Sequence, residues 1–184
     1  MTTKTPKPKK PPVVYPPLPI GAVLLALDVS SSATGIAVGE IEASGVKIHS
    51  FGVARPPSSW SFDRKVGFMA DEIDRLIAFH KVSHVVFEWQ DHRSGSMRVQ
   101  GLAVLGQAQG ALWNHLKDFK VDRVPVREAT KLRGRNVKKQ TRCEWVKTQV
   151  TEYAAKVAAQ PNWDKGSDAS DALFLLLFRA KQGV

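Results

Sequence analysis

Residues 23–28 read VLLALD: five apolar residues in a row, closed by the carboxylate of Asp28. A run this short and this apolar predicts a buried strand, and an acid at its very end marks a strand that stops at a polar edge. Outward from it, GIAVGEI (35–41) and VKIHSFGV (46–53) flank the turn-forming EASG (42–45), which predicts two more strands in a meander. Val66, Met69, Ala70, Ile73, Ile77 and His80 recur at helical spacing and predict an amphipathic helix over 61–80. HVVFE (84–88) repeats the pattern of an apolar strand ending in an acid, here Glu88. Leu102, Leu105, Ala108, Leu112, Leu116 and Phe119 predict a long helix over 98–119, and VDRVPV (121–126) a short strand. Residues 139–159 and 168–181 read as two further helices separated by QPNWDKGS, with Ser167 as the N-cap of the last. The order β-β-β-α-β-α-β-α-α predicts an α/β domain on a mixed sheet.

The chain has 184 residues with 43% hydrophobic content, so one domain with a sizeable core is expected over 21–184. Its apolar runs are too short for a membrane span, and the basic start meets prolines rather than an apolar signal segment. A single cysteine, Cys143, excludes an internal disulfide framework and a cysteine-based zinc site. A reducing, cytoplasmic setting without a membrane partner is therefore expected.

Net charge is +10 and unevenly spread. Residues 1–12 carry four lysines and no acid, and with Pro16, Pro17 and Pro19 the segment 1–20 reads as a flexible Pro/Lys-rich arm. Segment 117–147 holds eleven basic residues against four acids, leaving the rest of the domain close to neutral. A charge so concentrated is either a solvated face or a site for a polyanion such as nucleic acid.

The acids carry the chemistry. Asp28 and Glu88 end two apolar strands, and Asp168 and Asp171 in DASDAL start the last helix three residues apart, on one face. Taken singly, Asp168 also suits a helix dipole and Asp28 a strand-end turn. Together, four carboxylates at one sheet edge repel one another unless a cation neutralises them, and a hard divalent ion such as magnesium is the natural partner.

LLALDVSSSATGIAV (24–38), VVFEWQ (85–90), LGQAQGAL (105–112) and DASDAL (168–173) resemble, in order and spacing, the signature stretches of RuvC-type Holliday junction resolvases. The resemblance spans residues 23–181. It implies an RNase H-like fold, a five-stranded mixed sheet flanked by helices on both faces. It also implies a metal-dependent endonuclease that works as a homodimer on four-way DNA junctions, and a chain of this size suits a phage-encoded member. Asp28, Glu88, Asp168 and Asp171 fall on the metal-binding carboxylates, with Mg2+ as cofactor and Mn2+ as substitute. Lys138 falls on a lysine near the scissile phosphate and Arg127 on the position of a second, where arginine keeps the charge but donates no proton. Arg93, Arg98, Lys131, Arg133, Arg135 and Lys139 complete the expected DNA-binding set. Trp89, adjacent to Glu88, is either core or a displaced ring for stacking on a base. Gly106 and Gly110, beside Leu102, Leu105 and Leu112, allow close approach of another helix, which makes 98–119 the expected dimer contact. Three other readings compete: an RNase H-like nuclease acting on branched DNA generally or on RNA, a non-catalytic junction-binding module, and a nucleotide-binding loop like that of the actin and heat-shock chaperone superfamily. For the last, 184 residues leave no room for a second phosphate loop.

Overall fold

The computed structural model of the chain describes residues 13–89, 99–125 and 139–182. The apolar run at 23–28 becomes the central strand, β1 (Val23–Val29), paired on both sides. Antiparallel to it lies β2 (Thr34–Glu42), which hairpins into β3 (Gly45–Ala54). Parallel to it lies β4 (His84–Trp89), followed by β5 (Lys120–Pro125) on the far edge. The sheet order is β3-β2-β1-β4-β5, five mixed strands.

Strand alternation divides the core in two. Leu24, Ala26, Val86 and Val124 face one layer, with α5 (Asp168–Lys181) and the helices before it, α3 (Lys139–Gln149) and α4 (Thr151–Ala159). Leu25, Leu27, Val85 and Phe87 face the other, against Met69, Ile73 and Leu76 of α1 (Phe62–His80) and Ala108 and Leu112 of α2 (Val99–His115). The expected fold class, a five-stranded mixed sheet with helices on both faces, is what the chain forms. Among the described residues no helix is long and apolar enough to cross a membrane.

Three expectations need correction. Apolar spacing over 139–159 reads as one helix, yet the chain breaks at Val150, which is extended (φ −129°, ψ 98°) and buried. Val146, Val150 and Tyr153 are all buried, so the periodicity runs straight through a break that only the backbone of a β-branched pair, Val150–Thr151, reveals. Helix α2 ends at His115 rather than at 119, because the amide of Leu116 bonds both Leu112 and Trp113 carbonyls and the chain tightens into turns.

The third concerns the arm. Residues 13–20 of the expected flexible segment 1–20 lie on the domain: Tyr15 and Leu18 are buried, and the Tyr15 ring meets Phe178 edge-on at 6.0 Å. Arg179, fully buried in α5, donates to the Pro16 carbonyl (2.7 Å) and to the Asp122 carboxylate of β5 (2.6 Å). A proline segment docks readily because its backbone is already restricted and its carbonyls remain free to accept. Residues 1–12 lie outside the described residues.

Candidate active site

Alternation aims the acids before any helix is considered. Leu24 and Ala26 point into the α5 layer, so Asp28, two residues on, continues that face at the end of β1. Glu88 does the same on β4, following Val86. The last paired residues of these parallel strands are Leu27 and Phe87, so Asp28 and Glu88 come next side by side, about 4.8 Å apart in strand spacing. Glu88 is 9% exposed, and its backbone carbonyl accepts a bond from the buried Gln109 amide of α2 (3.3 Å). That bond gives LGQAQG a physical role: its second glutamine fastens the end of β4.

The acid pair on α5 is brought to the same edge by two devices absent from the sequence reading. Gly35 stands opposite Asp28 on β2, and a Cβ placed on it would overlap the backbone carbonyl of Asp168. Only a residue without a side chain lets the start of α5 settle onto the β1–β2 pair. The second device is Asp164, a buried carboxylate that accepts from the amides of Ala169 (3.0 Å) and Ser170 (3.0 Å) and from the Tyr153 hydroxyl (2.7 Å). It caps the helix, in place of the expected Ser167. Ser167 sits at φ 62°, ψ 18° with no side-chain cap bond. Its left-handed backbone turns the chain so that Asp164, three residues back, reaches the free amides of the first turn. Tyr153 also meets the Cys143 thiol at 3.2 Å, and burial, followed by the bonds to Cys143 and Asp164, pushes its hydroxyl pKa well up.

Two arginines meet these acids. Arg142 of α3 places Nη1 3.2 Å from the Asp171 carboxylate and 4.0 Å from that of Glu88, with all three side chains at least four-fifths buried. Arg55, just past β3, donates to Asp168 at 2.8 Å. Among the described residues no three His, Cys, Asp or Glu side chains form a group that could hold a metal ion. The chemistry of the set nevertheless fits a hard cation. Its donors are carboxylate oxygens from β1, β4 and α5, and the positive charge they require is here supplied by guanidinium groups.

Of the other expected residues, Trp89 packs between Phe87 (6.2 Å) and Trp113 (6.3 Å), on the face opposite Glu88, with the Arg123 guanidinium 4.8 Å from its ring. This is a place in the α2-side core layer. Arg93, Arg98, Arg127, Lys131, Arg133, Arg135 and Lys138 lie outside the described residues, and Lys139 opens α3. On α2, Leu105 and Leu112 are buried in the domain, which removes them from the expected dimer contact. Gly106 and Gly110 meet open space among the described residues, with Gly101, Ala103, Val104 and Ala111 exposed nearby.

Arg142 was legible only as one of eleven basic residues, and Arg55 stood apart from that segment altogether. Asp164 does carry a local signal: an Asx residue four positions before a helix, in a turn with Gly166.

No protein-family model matches the chain, and none of the curated proteins does. Solved structures do. RuvC of Thermus thermophilus in complex with a Holliday junction substrate superposes with a TM-score of 0.63 at 14% identity, over 88% of this chain and 96% of that one. The yeast mitochondrial Holliday junction resolvase gives 0.55 at 14% identity, over 93% and 80%. The fowlpox virus resolvase with Holliday junction DNA gives 0.56 at 10% identity, over 86% and 97%. At such identities the likeness is one of fold: the chain has the RNase H-like architecture of RuvC and other junction resolvases.

Proposed function

We propose that the chain is a metal-dependent endonuclease that resolves four-way DNA junctions by paired, symmetric nicks. What supports this reading is that Asp28 at the end of β1 stands beside Glu88 at the end of β4 and that α5 starts with Asp168 and Asp171 near the same edge, with Arg55 on Asp168 and Arg142 facing Asp171 and Glu88.

Asp28, Glu88, Asp168 and Asp171 would hold magnesium, with manganese as substitute. Such ions supply a clamp on the attacking and leaving oxygens of a phosphodiester. The chain's own part is placement. Gln109 and Gly35 hold the two strand ends and the helix start in register, and Asp164 keeps the first turn of α5 wound. Arg142 and Arg55 keep the acids together before the ion arrives, and can then turn a guanidinium edge to a phosphate. Lys138 is assigned to proton transfer at the leaving oxygen. Arg93, Arg98, Arg127, Lys131, Arg133, Arg135 and Lys139 are assigned to phosphate contacts along the arms, and residues 1–12 to added, non-selective affinity. Two symmetric cuts require two sites, so a homodimer through the exposed glycine-bearing face of α2 belongs to the proposal.

The test is a panel: an immobile four-way junction, a flap, a linear duplex and an RNA–DNA hybrid, each with and without magnesium. Paired nicks at symmetric positions on the junction, dependent on the ion, are expected. Equal cutting of flap and junction would move the reading to a general branched-DNA nuclease, and preference for the hybrid to an RNA-directed one. Binding without cutting under every condition would leave a junction-binding module.

A further inference from the structure

Next to the acid edge, at the β3 side of the sheet, a cleft of about 560 Å³ opens between the β1–β2 turn and the loop after β3. Ser32, Arg55, Pro56, Pro57, Ser58 and Lys65 line it. Two of the six are cations and none is an acid, in a part of the chain that is otherwise near neutral.

The cleft is built rather than incidental. The β1–β2 turn that forms one wall is tied by Ser30, whose hydroxyl donates to the Ala33 carbonyl (2.9 Å) and accepts from the Ala33 amide (3.0 Å). On the other wall Lys65 reaches back from α1 to donate to the Ser58 carbonyl (2.8 Å), which holds its ammonium at the rim instead of free in solvent. Pro56 and Pro57 stiffen the connection between β3 and α1. Arg55 joins the cleft to the acids: it spends one N–H on Asp168 at 2.8 Å and is still 51% exposed, with donors to spare among the five of a guanidinium. Lys65 likewise keeps two of its three donors.

The geometry points to a phosphate-binding cleft for the DNA backbone, in which Arg55 and Lys65 hold a phosphate of the strand that runs past the acid edge. This rests on the nuclease reading above. The Arg55–Lys65 cleft would add phosphate contacts at the β3 side of the sheet to those assigned above to the other basic residues. A phosphate contact this close to the acids helps fix which phosphate of the backbone lies over them. No aromatic side chain lines the cleft, so a base or a free nucleoside has nothing to stack on there.

The experiment compares full-length wild type, Lys65→Ala and Lys47→Ala by fluorescence anisotropy on a labelled four-way junction, in calcium, over a range of salt. Lys47 is exposed on β3 at the end remote from Arg55, so it removes the same charge from elsewhere. Loss of one phosphate contact should flatten the slope of log K against log salt by about 0.9 and weaken binding at ~0.1 M salt by roughly eightfold. Lys47→Ala should leave the slope within error of wild type. Matching thermal melts show that Lys65→Ala is folded. Equal slopes for all three proteins would overturn the cleft while leaving the nuclease reading intact. Wild type that neither binds nor cuts the junction would overturn both. An unchanged DNA slope, with calorimetry showing a free nucleotide bound by wild type and not by Lys65→Ala, would also overturn it, assigning the cleft to a small anion instead.

Discussion

Replacing Asp164 by alanine is the most direct probe of how the acid pair is held. The carboxylate accepts two amides of the first turn of α5 at 3.0 Å and the Tyr153 hydroxyl at 2.7 Å, all in a buried setting. Bonds to a charged acceptor contribute about 1.5–3 kcal/mol each, while loss of a helix cap alone costs about 1 kcal/mol. Water entering the space recovers part of this, so a net loss of about 3–5 kcal/mol is expected. That is a large share of the ~5–15 kcal/mol by which domains are stable. With a urea m-value of about 2 kcal/mol/M, the midpoint should fall by roughly 1.5–2.5 M. Amide exchange at Ala169 and Ser170 should accelerate well beyond that of the rest of the helix, because the opening is local. Tyr153→Phe alone should be milder, about 1–2 kcal/mol. The double variant should fall short of additivity by about 1 kcal/mol, since both remove the same bond. A midpoint shift below about 0.5 M for Asp164→Ala would refute the capping role, and strict additivity with Tyr153→Phe would refute the bond between the two side chains.

Other outcomes follow from the same geometry. Ser167→Gly should raise stability by about 0.5–1 kcal/mol, because a residue at φ 62° is relieved and no cap is lost; a loss of that size in thermal melts would restore Ser167 as the cap. Gly35→Ala should destabilise by more than about 2 kcal/mol and abolish cutting, since backbone of Asp168 fills the space its Cβ needs; a wild-type melt and rate would mean that α5 can slide off the sheet freely. For Tyr153 the sign is set by its raised pKa: the contribution is complete below about pH 10, the unfolded value, and is lost as pH climbs beyond it toward the folded one. Melts from pH 8 to 11 should show a late fall that Tyr153→Phe removes. Asp28→Asn and Asp171→Asn should end cleavage in magnesium while junction affinity in calcium persists, and either variant cutting at wild-type rate would sink the assignment of the acids.

The sequence by itself settled what depends on neighbours along the chain. A short apolar run closed by an acid reads as a buried strand ending at a polar edge, so 23–28 and 84–88 were legible at once, as was the helix that DASDAL opens. Their acids were expected at one sheet edge, but that Asp28 and Glu88 share a face was decided by the parallel register of β1 and β4. The tertiary structure decided everything that depends on a partner distant in sequence. Arg142 and Arg55 lie 29 and 113 positions from the acids they engage, Asp171 and Asp168, and no local pattern tells a charge that lands on a carboxylate from one that stays in solvent. Gly35 reads as an ordinary strand glycine until the carbonyl of Asp168 arrives above it. Ser167 has the right residue type for a cap and the wrong backbone angle, and a φ of 62° is set by the turn it closes rather than by the residue itself. Tyr15 and Leu18 look like part of a polar proline arm because two apolar residues among prolines carry no period. They are buried because the Tyr15 ring meets Phe178 of α5 and the buried Arg179 donates to the carbonyl of Pro16, 163 residues away.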